Sequence, residues 1–328
     1  MDYQEAAAFL RSHDNYLILT HKRPDGDTIG CAAALCRALR EVGKTAYVLS
    51  NPEVTATFAV YFDGITAPED FLPDTVAAMD IAALGLLPDN AKQYSDRIDL
   101  AVDHHPSQEF FARATCLNEY AAACGVVMYQ IIKFLVGFTG FTPDITEALY
   151  VAVATDCGCF QYANTDSDAH LVAADLMMKR GFDAAPVNRR LFRTKSLRRL
   201  KLEGLIIQNL ELYQNGTIAA APVSRAMMAE AGVTIDDLDD LAAFVGQIQG
   251  VLHSMTVREL DNGTCKVSLR TNAKLLNATN VCAKLGGGGH AAASGCTVEG
   301  TLRETIDKMM AAIEEVQGEA VQHSAENR

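Results

Sequence analysis

Short apolar runs alternate with longer stretches of helical periodicity along the first half of the chain. The apolar runs predict β-strands near 15–20 and 45–50, and two further strands that end at Asp80 and at Asp103. The longer stretches predict helices near 3–12, 28–42, 123–137 and 167–180. The segment 146–154 fits a helix or a strand, and we interpret it as a helix that carries Asp156 at its end. Such alternation predicts an α/β fold with a parallel, doubly wound sheet and helices on both faces.

The second half has a different pattern, in which predicted strands follow a basic helical segment at 186–215. Strands are predicted at Gly216 to Val223, Val251 to Leu260 and Thr264 to Thr271, with helices near 224–231, 235–248 and 302–317. The run Gly286 to Gly289 is predicted to be a loop, because glycine is costly inside a regular element. Its bare N–H groups can approach an anion closely. We therefore expect one domain at 1–185, a helical linker at 186–215 and a smaller domain at 216–328.

The composition is that of an ordinary globular protein, with 328 residues of which 49% are apolar and 21% charged. A net charge of −13 argues against binding of long nucleic acid, which depends on many Lys and Arg contacts. The nine cysteines form no Cys-x-x-Cys pair, so neither a zinc ribbon nor a disulfide framework is indicated. With no long apolar run and no basic leader, we expect a cytoplasmic protein that does not bind membranes.

Polar side chains of the kind that bind metals follow the predicted strands. They are His21, Asp25 and Asp27 after the first strand, Asp80 after another, Asp103, His104 and His105 after a third, and Asp156 after the segment 146–154. Any one Asp at such a place is more often a cap or turn residue, but four places together are hard to attribute to capping. Ligand sites form at the carboxyl ends of strands in open α/β sheets. Carboxylate and imidazole ligands favour manganese or magnesium, so we expect Cys157 and Cys159 to be packing residues.

The order of these residues resembles the four-motif signature of the DHH phosphoesterase superfamily. The segment Lys284 to His290, with Ala293-Ser294-Gly295, resembles the glycine-rich motif of the DHHA1 domain. The resemblance covers roughly Tyr16 to Met310. It implies a doubly wound parallel-sheet DHH catalytic domain and a smaller α/β DHHA1 substrate-binding domain across a cleft.

The resemblance also implies a centre of two divalent ions, with Mn²⁺ preferred and Mg²⁺ as the alternative. One ion takes His21 and Asp25, the other takes Asp27, His104 and Asp156, and Asp80 bridges the two. Asp103 then orients a ligating imidazole, and His105 faces the substrate phosphate and assists the leaving oxygen. Substrate binding is assigned to Arg270, Gly287, Gly288, Gly289 and His290.

Within the superfamily, the chain is most similar to the nanoRNase/pAp-phosphatase subgroup. This similarity implies hydrolysis of short oligoribonucleotides (nanoRNA) to mononucleotides, and of 3′-phosphoadenosine 5′-phosphate (pAp) to AMP. One alternative keeps the chemistry but changes the substrate to linear or cyclic dinucleotides, such as pApA and c-di-AMP, or to polyphosphate. The other alternative is a non-catalytic nucleotide-binding or RNA-binding module. The sequence does not decide the oligomeric state, and a homodimer is one alternative.

Two positions depart from the superfamily pattern. Many relatives have Ser/Thr-x-Glu after the DHH motif, whereas Ala123-Cys124-Gly125-Val126 stands here, so those polar side chains are missing. Cys31 stands where Ser often follows the first motif, and we expect that change to affect only the packing of the helix start.

Overall fold

The computed structural model describes residues 1–180, 182–238 and 241–326. The chain divides into two compact units, Met1–Thr194 and Lys195–Arg328. The boundary between them lies within the segment 186–215.

The first unit is built on a five-stranded sheet with the order β2-β1-β3-β4-β5, in which every neighbouring pair is parallel. The strands are β1 (Tyr16–Leu19), β2 (Ala46–Val48), β3 (Thr75–Met79), β4 (Leu100–Asp103) and β5 (Ala114–Leu117). The predicted parallel sheet is thus confirmed. The short edge strand β5 was missed, because its four residues are mostly half-buried and show no apolar run.

In the described parts of this unit, 1–180 and 182–194, seven α-helices accompany the sheet. They are α1 (Tyr3–Ser12), α2 (Gly26–Glu41), α3 (Ala56–Ala59), α4 (Cys124–Val136), α5 (Pro143–Asp156), α6 (Ser167–Arg180) and α7 (Ala184–Asn188). Successive strand side chains point to opposite faces, so Ile18 and Met79 pack with the long helices while Leu19 and Ala78 pack on the other side. That second face is covered by shorter 3₁₀ segments, Leu84–Leu86 and Asp89–Tyr94.

The segment with ambiguous periodicity forms helix α5, as we interpreted it. Its start is set by Thr142, whose hydroxyl accepts a hydrogen bond from the N–H of Ile145, and by Pro143 in the first turn. The helix is buried along most of its length, which explains why its sequence lacks a polar face. Its last residue is Asp156.

Helices α2 and α5 approach each other closely through glycine. A Cβ atom on Gly30 would lie 2.4 Å from the carbonyl oxygen of Ala148 and 2.8 Å from the Cβ of Ala152. A Cβ atom on Gly26 would lie 2.4 Å from the side chain of Thr155. Since real Cβ contacts are not this short, only glycine permits this packing. It brings the start of α2 beside the end of α5.

The second unit contains a six-stranded sheet with the order β10-β11-β9-β8-β7-β6. Only β7 and β8 are parallel, and the other neighbours are antiparallel. The strands are β6 (Glu211–Tyr213), β7 (Ile218–Val223), β8 (His253–Glu259), β9 (Thr264–Thr271), β10 (Gly288–His290) and β11 (Ala293–Glu299). The three predicted strands are thus present, whereas the short edge strands and β11 were missed.

Residues 195–238 and 241–326 of this unit form five α-helices. They are α8 (Leu197–Gln208), α9 (Arg225–Ala231), α10 (Leu241–Val245), α11 (Ala278–Ala283) and α12 (Leu302–Glu326). Helices α11 and α12 pack on one face of the sheet, while α8, α9 and α10 cover β7 on the other face. Within the described ranges, no helix is both long and apolar enough to cross a membrane.

The prediction that Gly286 to Gly289 form a loop is wrong for its second half, because Gly288 and Gly289 belong to edge strand β10. The reason is steric. A Cβ atom on Gly287 would lie 2.3 Å from the carbonyl oxygen of Gly295, and one on Gly289 would lie 2.7 Å from that of Ala293. Glycine therefore lets this segment lie directly against β11, a tertiary contact that local propensity does not reveal.

We predict that Gly30→Ala destabilises the first unit by about 1–3 kcal/mol, because the added methyl group overpacks the contact between α2 and α5. Gly85→Ala is the matched control, since nothing lies within 4 Å of a Cβ atom there; it should change stability by less than roughly 0.5 kcal/mol. Urea denaturation followed by circular dichroism measures both. Equal stability of the two variants would contradict the packing argument.

Candidate metal centre

The structure brings the predicted ligands of the first unit together at the carboxyl ends of β1, β3 and β4. Their ligand atoms form three overlapping groups, in each of which all atoms lie within 4.8 Å of one another. The groups are His21, Asp25 and Asp80; Asp27, His104 and Asp156; and Asp80, His104 and His105. None of the groups found among the described residues includes a cysteine, so Cys157 and Cys159 stay outside the centre.

Asp80 belongs to two of these groups, one with His21 and Asp25 and one with His104 and His105. Its Oδ2 atom is 3.8 Å from Nε2 of His21, and its Oδ1 atom is 3.6 Å from Nε2 of His104. Nε2 of His104 is also 3.6 Å from Oδ2 of Asp156 and 4.0 Å from Oδ2 of Asp27. These separations are too long for direct hydrogen bonds. They leave room for a cation between each imidazole and its carboxylates.

The conformation of Asp80 is unusual in two respects. Its φ angle is +59°, a left-handed value that is uncommon outside glycine and costs free energy. The side chain is only 3% exposed, and its Oδ1 atom hydrogen-bonds to no residue in the described part of the chain. A buried carboxylate oxygen without a partner is expensive. The residues around it therefore fit a cation, which would satisfy that oxygen.

Asp27 is held by the amino-terminal end of α4. Its Oδ2 atom accepts a hydrogen bond of 2.7 Å from the N–H of Cys124, and its Oδ1 atom accepts one of 2.8 Å from that of Gly125. Positions 123–126, which lack the polar side chains of many relatives, thus bind the carboxylate of Asp27 through backbone N–H groups, and the helix dipole supports this contact. Cys31 also contacts Oδ1, at 3.3 Å, so the expectation that Cys31 affects packing alone was wrong.

Asp25 both caps helix α2 and belongs to the centre. Its Oδ1 atom accepts hydrogen bonds from the N–H groups of Asp27 and Thr28, at 3.0 and 3.2 Å. The same atom lies 3.6 Å from Nε2 of His21. The hydroxyl of Thr28 donates to the carbonyl of Met79, 2.7 Å away, which ties the helix start to the end of β3.

The two adjacent histidines are oriented by different partners. Nδ1 of His104 donates to the carbonyl of Ala121, at 3.0 Å, which directs Nε2 towards the carboxylates. Nδ1 of His105 lies 2.8 Å from Oδ1 of Asp103. The family resemblance implies that Asp103 orients a ligating imidazole, but the ring that Asp103 contacts is that of His105, which the resemblance assigns to the substrate side. Gln108 donates to Oδ2 of Asp103 and to the carbonyl of Ile81, which completes this arrangement.

Burial and mutual repulsion dominate the electrostatics of the centre. Burial, followed by the charges of neighbouring groups, raises the pKa values of Asp27 and Asp80 well above the usual range. Burial and the charge of Asp25 raise the pKa of Asp156 to about 7. Burial and the charge of His105 lower the pKa of His104, which keeps its imidazole neutral and available as a ligand. A bound divalent ion would relieve this repulsion.

The predicted substrate-binding residues lie in the second unit. Ala293 of β11 pairs with Arg270 on one side and with His290 on the other. Because directly opposed residues in antiparallel strands point to the same face, Arg270 and His290 share one face of the sheet, two strand spacings or about 10 Å apart. Gly288, Gly289 and His290 are exposed.

The sequence matches the model of the DHH family, N-terminal domain, over residues 15–155, and that of the DHHA1 domain over residues 215–319. The chain therefore belongs to the DHH family and carries a DHHA1 domain in its second unit. This is a family of hydrolases that depend on divalent metals.

Among curated proteins, the chain is 30% identical over 304 residues to the bifunctional oligoribonuclease and PAP phosphatase NrnA of Thermus thermophilus, covering 91% of this chain and 89% of the relative. It is 24% identical over 311 residues to the protein of the same name from Mycoplasma pneumoniae, covering 90% and 91%. The crystal structure of an exopolyphosphatase-related protein from Bacteroides fragilis matches with a TM-score of 0.85 at 22% identity, over 96% of both chains. At that identity the likeness shows the fold alone.

We predict that the chelated protein loses stability between pH 5 and pH 8. Asp156 titrates near pH 7 in the folded chain and near 4 when unfolded, so the folded state binds more protons in this window and stability falls as pH rises. Asp156→Asn should show a shallower decline in Tm, whereas Asp70→Asn, an exposed control, should follow the unmodified protein. Thermal melts in excess chelator measure this. An unchanged slope in Asp156→Asn would contradict the electrostatic assignment.

Proposed function

We propose that this chain is a two-metal phosphoesterase that hydrolyses short oligoribonucleotides to mononucleotides and converts pAp to AMP. The proposal is supported by the names of its curated relatives, with which it aligns over about nine-tenths of its length. The observation that carries it is the buried carboxylate of Asp80, which belongs to two ligand groups and whose Oδ1 atom has no hydrogen bond to any described residue.

We assign His21 and Asp25 to one ion, and Asp27, His104 and Asp156 to the other. Asp80 would contribute to both sites. Imidazole and carboxylate ligands without thiolate favour Mn²⁺. When bound, a pair of such ions polarises the phosphoryl group and makes water a better nucleophile.

The protein's own residues supply the remaining functions. Burial alone would lower the pKa of His105, but its hydrogen bond to Asp103 outweighs that effect and raises the pKa. A protonated His105, fixed at Nδ1 by Asp103, can donate a proton from Nε2 to the leaving oxygen. Burial alone would raise the pKa of Asp103, but the side chain of His105 and the backbone N–H groups of His104 and His105 lower it. Gln108 donates to Oδ2 of the same carboxylate and fixes its position.

We assign recognition of a second substrate phosphate to Arg270 and His290, on the common face described above. The guanidinium group can meet a phosphate with two parallel hydrogen bonds. Gly288 and Gly289 add the exposed backbone of edge strand β10, and Gly287 precedes that strand with its N–H donating to the carbonyl of Cys282. Close packing against β11 accounts for glycine at 287 and 289. We therefore assign the anion contact to the exposed backbone of Gly288 and Gly289, and not to flexibility of the segment.

Asp80→Asn should lower kcat for hydrolysis of pApA with Mn²⁺ by at least about 100-fold, a loss of roughly 2.7 kcal/mol in transition-state stabilisation. Asparagine tolerates the left-handed backbone at this position, so the variant removes the charge without adding strain. Asp89→Asn, an exposed control, should retain full activity. Retention of more than about a tenth of kcat in a folded Asp80→Asn protein would refute the bridging role.

Arg270→Ala should lower kcat/KM for pAp and for short RNA, because a charge-assisted contact to a second phosphate is lost. The fall should correspond to a loss of about 2–4 kcal/mol in transition-state stabilisation. Hydrolysis of bis-p-nitrophenyl phosphate, which has no second phosphate, should hardly change. Arg225→Ala, an exposed residue of the same unit, serves as control. An equal loss on both substrates would mean that the change disturbs the metal centre, and the recognition role would be withdrawn.

A further inference from the structure

The segment 121–125 connects strand β5 to the first turn of helix α4, and its backbone contacts two side chains of the metal centre. The carbonyl of Ala121 accepts the hydrogen bond from Nδ1 of His104, at 3.0 Å. The N–H groups of the first two residues of α4 donate to the carboxylate of Asp27, at 2.7 and 2.8 Å. Both side chains belong to the same ligand group, whose third member is Asp156. One short stretch of backbone therefore orients two of the three ligands.

Asp156 is joined to the same segment by the side chain of Asn164. The Nδ2 atom of Asn164 donates to the carbonyl of Ala122, at 2.9 Å, and to the carbonyl of Asp156, at 3.1 Å. These two bonds use both N–H groups of the amide. Asp156 is the last residue of α5, where the helix leaves carbonyl groups without an intrahelical partner. The side chain of Asn164 therefore ties the end of α5 to the segment 121–125.

The chain turns back sharply after α5 before it reaches Asn164. Gly158, Cys159 and Phe160 have φ angles of +53°, +55° and +64°. A left-handed conformation costs free energy in residues other than glycine, and it persists only where the surrounding structure holds it. Two such residues in succession show that the position of the following chain, including Asn164, is strongly constrained.

Helix capping does not account for the contacts of Asn164. The next helix, α6, is capped by Asp166, whose Oδ1 atom accepts a hydrogen bond of 2.7 Å from the N–H of Ala169. The amide of Asn164 is directed instead to the carbonyls of Ala122 and Asp156. Its role is therefore to be sought in the link that it makes between these two residues.

We infer that Asn164 is a positioning residue for the ion site that contains Asp156, and that it acts by fixing the end of α5 to the segment 121–125. The division of the ligands between two ions rests on the proposed function. With this link, five consecutive residues set the positions of all three ligands of that site. Ligands that are held in place bind a cation more tightly, because less conformational freedom is lost on binding. The two bonds of the link involve neither His21 nor Asp25.

Calorimetric titration of the metal-free protein with Mn²⁺ tests the inference. The variants Asp156→Asn and His21→Ala first identify which binding step belongs to which ion site. Asn164→Ala should weaken the Asp156 step by at least about tenfold, as expected when the partner of a ligand is removed, and should change the other step by less than roughly twofold. Asn209→Ala is the matched control, because this exposed Asn also donates from Nδ2 to a main-chain carbonyl, that of Leu205, and should change neither step.

Thermal melts separate positioning from a purely structural role. Mn²⁺ raises Tm according to its affinity for the folded chain, so we expect a smaller Mn²⁺-induced rise in Asn164→Ala than in the unmodified protein. A structural role alone would lower Tm in the metal-free state and leave that rise unchanged. Asn164 is exposed, so the variant should fold, and Asn164→Leu, which is similar in size but has no N–H group, should behave in the same way.

Two kinds of result would count against the inference. Unchanged Mn²⁺ affinity in Asn164→Ala, or equal weakening of both steps, would overturn the positioning role and leave the proposed function intact. An unmodified protein that binds no Mn²⁺ would overturn the proposed function and the positioning role together.

Discussion

Repulsion among buried carboxylates at one edge of the parallel sheet is the constraint on which the first unit depends. Asp27, Asp80 and Asp103 are almost completely inaccessible to solvent, and Asp156 lies beside them. Each is held differently. Two backbone N–H groups of α4 bind Asp27, and Gln108 with the backbone N–H groups of His104 and His105 binds Asp103. Asp80 has a left-handed backbone, and its Oδ1 atom has no hydrogen-bond partner among the described residues. Such a cluster is stable at neutral pH only with protons or cations among its members.

The fold brings these groups together by close packing and not by their own attraction. Glycine at positions 26 and 30 lets α2 lie against α5, so that the first turn of one helix meets the last turn of the other. Parallel pairing of β1, β3 and β4 aligns the ends of the three strands that lead into the remaining ligands. The packing of the helices therefore offsets the repulsion between the like charges that it brings together. The ligands are held in place before a metal binds, as a metal-dependent hydrolase requires.

Much of this arrangement could be predicted from the sequence, because strand-end chemistry is local. An apolar run followed by Asp80 or by Asp103-His104-His105 reveals both a strand and its ligands, and the first four predicted strands were found at nearly the expected positions. The contacts that orient these ligands were not predicted. The carbonyl of Ala121 reaches His104, and the side chain of Gln108 reaches Asp103, only through loop conformation, which leaves no periodic signal. Strand β10 was missed for a related reason, since its glycines reflect contact with β11 and not local preference.

We propose that Asp80 joins two ion sites of unequal composition, and titration of the metal-free protein with Mn²⁺ measures this, followed by calorimetry and by elemental analysis after desalting. We expect two ions per chain in the unmodified protein, and fewer than two retained ions in a folded Asp80→Asn protein. A stoichiometry of one or none in the unmodified protein, or two ions bound with unchanged affinity after Asp80→Asn, would contradict it.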